Sequence, residues 1–153
     1  MTQKILGCEV GRRLGYGISR YVHELGPNWV VKFARLDNPK IPFQWTRGAN
    51  LSEAQTCETA KLLDDGVEFL CPVIAVHPDG DWLVMERCAT ILGSREQDTI
   101  ETLSVSDEDQ WRECGADVAL IHAMLDIFAV SDIHTGNIGI LADGRQVYID
   151  YAT

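Results

Sequence analysis

The stretch VSDIHTGNIGILADGRQVYIDYAT, residues 130–153, decides how the rest of the chain reads. Asp132 stands five positions before Asn137. A short apolar run over 138–141 follows, then Asp143-Gly144, then a second apolar run over 147–149 that delivers Asp150. Apolar runs joined by Asp-Gly predict a β-hairpin, because Asp-Gly adopts the tight turn that suits strand twist. A hairpin brings its outer ends together, so Asn137 and Asp150 are expected side by side, with Asp132 on the loop before them. Three oxygen donors converging at one sheet edge suit Mg²⁺, a hard cation that takes carboxylate and amide oxygens. Each residue alone also fits a turn-forming role. The three together, at these spacings, favour a metal site.

Composition narrows the rest. The chain has 153 residues, 46% of them hydrophobic, enough for one ordinary domain or two small lobes. Its net charge of −10 argues against a nucleic-acid surface, which needs clustered Lys and Arg, and leaves room for a basic protein partner. The cysteines (8, 57, 71, 88 and 114) are odd in number and widely spaced, without a Cys-x-x-Cys pair, so they are expected reduced and mostly buried. The start MTQKILGCEV lacks signal-peptide anatomy, and no apolar run approaches the roughly 18 residues of a membrane span. A cytoplasmic protein without membrane association is the expectation.

Upstream, residues 10–34 predict strand, glycine turn, strand, a Gly-Pro-Asn turn and a third strand with Lys32 near its middle. Gly15 and Gly17 carry no Cβ and let a backbone approach a ligand closely. A lysine in an apolar strand is costly to bury unless paired. Residues 37–50 read as loop, and a helix is expected over 51–64, ended by Gly66. Glu53, Cys57 and Ala60 then share a face, which makes Glu53 a candidate partner for Lys32. Asn50-x-x-Glu53 also has the form of a capping box, which would use Glu53 at the helix start and leave Glu58 as the alternative partner.

Residues 69–88 predict two further strands around Pro-Asp-Gly, five in all. The polar segment 89–106 reads as a tether. From Asp107 one helix is expected to about Phe128, with Ser106 as N-cap and Trp111, Val118, Ile121, Leu125 and Phe128 as its apolar stripe. His122 lies beside that stripe as a packing residue.

This order of features resembles the protein-kinase-like fold. Leu14-Gly15-Tyr16-Gly17 through Val22 looks like the glycine-rich loop, Val31-Lys32 like the phosphate-contacting strand lysine, and the helix at 51–64 like αC. Residues 83–86 (LVME) look like the strand entering the hinge, and Asp132-Ile-His-Thr-Gly-Asn137 like the catalytic loop. Ile149-Asp150-Tyr151-Ala152 sits where Asp-Phe-Gly belongs. With His134 two residues after the Asp, the loop is closest in form to aminoglycoside phosphotransferases and choline-kinase-like enzymes. The resemblance implies an α+β protein: a five-stranded antiparallel N-lobe with one αC-like helix over 1–88, a linker over 89–106, and a reduced C-lobe over 107–153. That C-lobe would hold one long helix, the catalytic loop and the hairpin.

By the same resemblance the cofactors are ATP and Mg²⁺. Lys32 would hold the α/β-phosphates, oriented by Glu53, beneath Gly15 and Gly17. The backbone from Glu86 to Cys88 would bind adenine behind Met85. Asn137 and Asp150 would ligate Mg²⁺, and Asp132 would accept the proton of an attacking hydroxyl. The chain departs from the family pattern at Arg20, in place of the loop's third glycine, at Val130-Ser131, and at Tyr151-Ala152. It also stops at Thr153, where the family's substrate-holding helices would follow, so a protein partner or a second copy is expected to cover the shortened C-lobe. Two functions follow from these features: a minimal ATP- and Mg²⁺-dependent phosphotransferase acting on a hydroxyl, or an acidic pseudokinase-like module that regulates a partner without phosphoryl transfer.

Overall fold

A computed structural model of the chain describes residues 2–17, 19–90, 108–113, 115–130 and 135–151. Asp132, His134, Ser106, Cys114 and most of the expected tether lie outside the described residues. The protein is α+β, with antiparallel sheets and few helices. Its chain divides into two compact units: Met1–Thr59 with Pro72–Arg87 and Ala152–Thr153, and Ala60–Cys71 with Cys88–Tyr151.

In the first unit, β1 (Lys4–Ile5), β2 (Cys8–Tyr16), β3 (Arg20–Leu25) and β4 (Trp29–Ala34) precede helix α1 (Phe43–Leu63), and β5 (Val73–Val76) and β6 (Trp82–Glu86) follow it. They form one antiparallel sheet in the order β1-β2-β3-β4-β6-β5. The sheet thus has six strands, not five. The addition is β1, whose two residues pair with Cys8 and Glu9 and are too few to show any alternation. Strand β4 is central, between β3 and β6. Successive side chains of a strand point to opposite faces. Val31 therefore joins the apolar cluster of Ile5, Leu25 and Val84, flanked by Trp29, Phe33 and Trp82. Lys32 points the other way.

Helix α1 begins at Phe43, not at 51, and ends at Leu63. Pro42 sits before it, where a missing N–H costs nothing, and its carbonyl accepts from the amides of Trp45 (3.0 Å) and Thr46 (3.4 Å). The buried stripe of the helix is Thr46, Asn50, Glu53, Cys57 and Ala60, a helical spacing in which three members are polar. Its outer side exposes Phe43, Trp45, Leu51 and Leu62. A hydrophobic-periodicity reading fails on such a helix, because its inward face is the polar one. Asn50 and Glu53 lie well inside the helix, so the capping box does not form.

The β5–β6 turn rests on this helix. Gly80 has φ +82°, and a Cβ there would sit 2.4 Å from the Arg47 carbonyl oxygen. The Arg47 Nε lies 2.6 Å from Asp81 Oδ1 across the same contact.

The second unit contains α2 (Glu108–Glu113), α3 (Val118–Asp126), and a three-stranded sheet of β7 (Ala89–Thr90), β8 (Ile138–Ile140) and β9 (Gln146–Tyr148). The single helix expected over 107–128 is two. Gly115, at φ +82°, ends the first, and Asp117 caps the second by accepting from the Ala119 amide at 2.9 Å. Gln146 of β9 fills the break: its side chain accepts from the Asp117 amide (2.7 Å) and donates to the Gly115 carbonyl (2.6 Å). The break also shifts the apolar stripe. Leu120, Ile121, Ala123 and Met124 are buried on α3, whereas Val118, Leu125 and Phe128 are not. His122 is exposed, with its ring edge-on to buried Trp111 and its Nε2 2.8 Å from Glu108 Oε1.

The hairpin forms as expected, with Ile138 opposite Tyr148 and Ile140 opposite Gln146. Leu70 bridges Tyr148 in parallel, and the Cys71 amide donates to the Tyr148 carbonyl at 2.9 Å. Tyr151, 1% exposed, donates its hydroxyl to the Cys71 carbonyl at 2.8 Å. Among the described residues no helix is long and apolar enough to cross a membrane.

Candidate functional site

The first unit buries a charged network on the α1 side of the sheet. Lys32 is 7% exposed and Glu53 fully buried, and Lys32 Nζ donates to Glu53 Oε1 at 2.5 Å. The strand supplies the amine and the middle of α1 supplies the acid. Glu58 lies on the exposed side of the helix, so Glu53 is the partner. Arg20 is also buried, and its Nη1 lies 2.8 Å from the other carboxylate oxygen, Oε2. That contact is a close approach of charges, not an aligned hydrogen bond. The same Nη1 donates to Asn50 Oδ1 at 3.3 Å. The Asn50 amide in turn donates to the carbonyls of Lys32 (3.2 Å) and Gly80 (2.9 Å). One side chain thus ties β3, β4, the β5–β6 turn and α1 together.

Charges buried in this way need partners, because leaving water costs several kcal/mol per ion. Two cations meet one carboxylate here. Arg20 and Asn50 are members of this group that the sequence did not reveal. Arg20 was visible as a departure from the glycine loop, but its target lies far along the chain; Asn50 gave the signal of a helix cap.

Gly15 lies near the end of β2 opposite Val22, and Gly17 follows that strand, its amide donating to the Arg20 carbonyl at 2.9 Å. A Cβ at either glycine would meet no described atom within 4 Å, so packing of the described residues does not demand glycine at either position. Arg35 donates to the Gly17 carbonyl at 2.8 Å and lies over the Tyr21 ring at 4.8 Å, which fixes the turn from the end of β4. Tyr21 donates to Asp37, and this bond raises the Tyr21 pKa while lowering that of Asp37.

Met85 is buried in β6 opposite Val30. The amides of Glu86 and Arg87 donate to the carbonyls of Pro72 (3.0 Å) and Asn28 (2.8 Å), so these two donors are already engaged. Cys88 is half-buried in the second unit.

In the second unit the Ile149 amide donates to the Asn137 carbonyl at 2.9 Å. This bond continues the ladder past β8 and β9 and places Asn137 and Asp150 at the same open end of the hairpin. Asn137 is half-buried and Asp150 exposed. Two oxygen donors at one sheet edge fit a hard divalent cation. A further donor group, His77, Asp79 and Asp81, falls within 4.8 Å in the β5–β6 turn. The Asp79 amide donates to His77 Nδ1 and Asp81 pairs with Arg47, so the His77 and Asp81 side chains are engaged in building the turn.

A scan of family models finds no match to the chain, and a search of curated proteins finds none. Among solved structures, the chain is similar to SAICAR synthase from Saccharomyces cerevisiae complexed with SAICAR, at 12% identity and a TM-score of 0.48, covering 97% of this chain and 75% of that one. At that level the similarity carries no functional argument.

Proposed function

We propose that this protein is a minimal kinase-like phosphotransferase that binds ATP with Mg²⁺ and passes the γ-phosphoryl group to a hydroxyl acceptor. The observation that carries the reading is the buried pair of Lys32 and Glu53, formed between a central strand and the following helix. The kinase-like resemblance requires that pair. A lysine held there by a carboxylate is suited to the α/β-phosphates, and phosphoryl transfer asks mainly for positioning and charge neutralisation.

In this reading Gly15 and Gly17 pass over the phosphates, and Met85, Glu86 and Cys88 line the adenine position. Asn137 and Asp150 hold Mg²⁺, which supplies neutralisation of the phosphate charge. Asp132 accepts the proton of the attacking hydroxyl. The site in the first unit is supported by its ion pair; the metal assignment is supported by the two oxygen donors at the hairpin's open end. A cytoplasmic location and a protein partner or second copy complete the proposal.

The net charge of −10 favours a second reading, an acidic module that grips a basic partner without transferring phosphate. Transfer of labelled γ-phosphate separates the two. The phosphotransferase reading expects transfer by the wild type and none by Asp132→Ala with Asp150→Ala. Transfer that survives both changes removes the assignment. Partner binding that survives them while transfer is never seen favours the module.

A further inference from the structure

We infer that Arg20 is a positioning residue that keeps Glu53 charge-matched, so that the Lys32 ammonium can be given to the phosphates of a nucleotide. This rests on the nucleotide reading above and adds a residue to it. Arg20 and Lys32 stand on neighbouring strands. Val22 is opposite Lys32, so Arg20, two residues before Val22, projects to the same face. Both reach the one carboxylate, Lys32 through Oε1 at 2.5 Å and Arg20 through Oε2 at 2.8 Å. Asn50 fixes the guanidinium at 3.3 Å, while Lys32 has a flexible stem.

The electrostatics separate the two cations. A lone Lys–Glu pair is neutral, and an ammonium that turns toward phosphate leaves behind a buried carboxylate whose exposure to low dielectric is expensive. With Arg20 on the second oxygen, the three side chains together carry one net positive charge. The carboxylate stays compensated when Lys32 shifts its hydrogen bond to an anion. The guanidinium is the better holder because it is planar, permanently charged and weakly hydrated.

The test is calorimetric titration of the full chain with adenosine, AMP, ADP and ATP, each with Mg²⁺, using wild type, Arg20→Gln, Arg20→Lys and the double variant Arg20→Gln with Glu53→Gln. Arg20→Gln is expected to weaken ATP by about tenfold or more, ADP by less, and adenosine not at all. Arg20→Lys, which keeps the charge but not the planar guanidinium, restores ATP affinity in part. The double variant also recovers it in part, because the new carboxamide keeps an oxygen for Lys32 but no charge needing compensation. A merely structural role for Arg20 predicts the reverse, with the second buried change making matters worse and adenosine suffering alongside ATP.

Thermal melts report folding. If Arg20→Gln does not fold, Arg20→Met, which keeps the apolar stem volume, takes its place. Unchanged ATP affinity in the folded variant, equal loss across the series, or further loss in the double variant overturns the inference while leaving the nucleotide reading standing. A wild type that binds none of the series overturns both.

Discussion

The Lys32 ammonium and the Glu53 carboxylate lie 2.5 Å apart across 21 residues of sequence, joining the middle of a central strand to the middle of a helix. Because Arg20 meets the same carboxylate, removal of different members should not cost the same. Glu53→Ala removes the carboxylate that both buried cations meet and is expected to cost about 3–5 kcal/mol, the range for a broken buried pair. Lys32→Met keeps the Arg20 contact and should cost clearly less. Urea denaturation of both variants checks the order; equal losses would mean that Arg20 does not compensate Glu53.

Gly80→Ala joins two penalties. The left-handed φ of +82° disfavours any side chain, and the new Cβ would lie 2.4 Å from the Arg47 carbonyl oxygen, a backbone atom with little freedom to move. A loss of about 2–3 kcal/mol is expected, read as a lower denaturation midpoint with unchanged slope. A change within experimental error would show that the turn does not bear on α1.

Tyr151→Phe deletes the hydroxyl bond to the Cys71 carbonyl while keeping the ring buried. Roughly 0.5–1.5 kcal/mol should be lost. An unchanged denaturation midpoint would show that the Cys71 carbonyl finds another donor at no cost.

Acid should weaken the protein in steps that belong to named pairs. The Arg12 hydrogen bond holds Glu24 below its ordinary 4.5, the Tyr21 bond holds Asp37 below 3.8, and the His122 bond holds Glu108 below 4.5. A depressed carboxyl contributes stability that is full above its unfolded value and disappears as pH falls through the folded one. Stability should therefore fall as pH drops through 4.5, where Glu24 and Glu108 are half protonated in the unfolded chain but still largely ionised in the folded one. The gap between wild type and Arg12→Ala should narrow over that same range. A gap that stays constant from neutral pH down through full protonation of Glu24 would remove the ion pair as its cause.

For the metal, Asn137→Ala and Asp150→Asn are expected to abolish the Mg²⁺-dependent part of thermal stabilisation by ATP. At about one hundred times the dissociation constant, wild type should gain roughly 2.7 kcal/mol. Persistence of a Mg²⁺-dependent shift in both variants would move the metal to other ligands.

The hairpin over 138–148 and the pairing of Lys32 were legible because their signals are local: an Asp-Gly turn between apolar runs, and a charge inside an apolar strand. The start of α1 was not, since its inward stripe of Thr46, Asn50 and Glu53 looks like a solvated face. Gly115 was hidden for a different reason. A glycine inside a helical pattern is often tolerated, and only the Gln146 side chain, from a distant strand, shows that the helix stops there. Arg20 was legible as an oddity in the glycine loop but not as a partner of Glu53, because strand register and helix phase both had to be known first.

Cys71 is bonded in both directions to the end of the hairpin, through its amide to Tyr148 and through its carbonyl to Tyr151. During synthesis, residues 60–71 leave the ribosome long before those partners exist. The first unit can close its sheet once residue 87 has emerged, but the second has to wait for residue 151 with its apolar side chains still wet. A ribosome-stalled chain ending before residue 148 should therefore hold one protected unit and one that proteases cut freely.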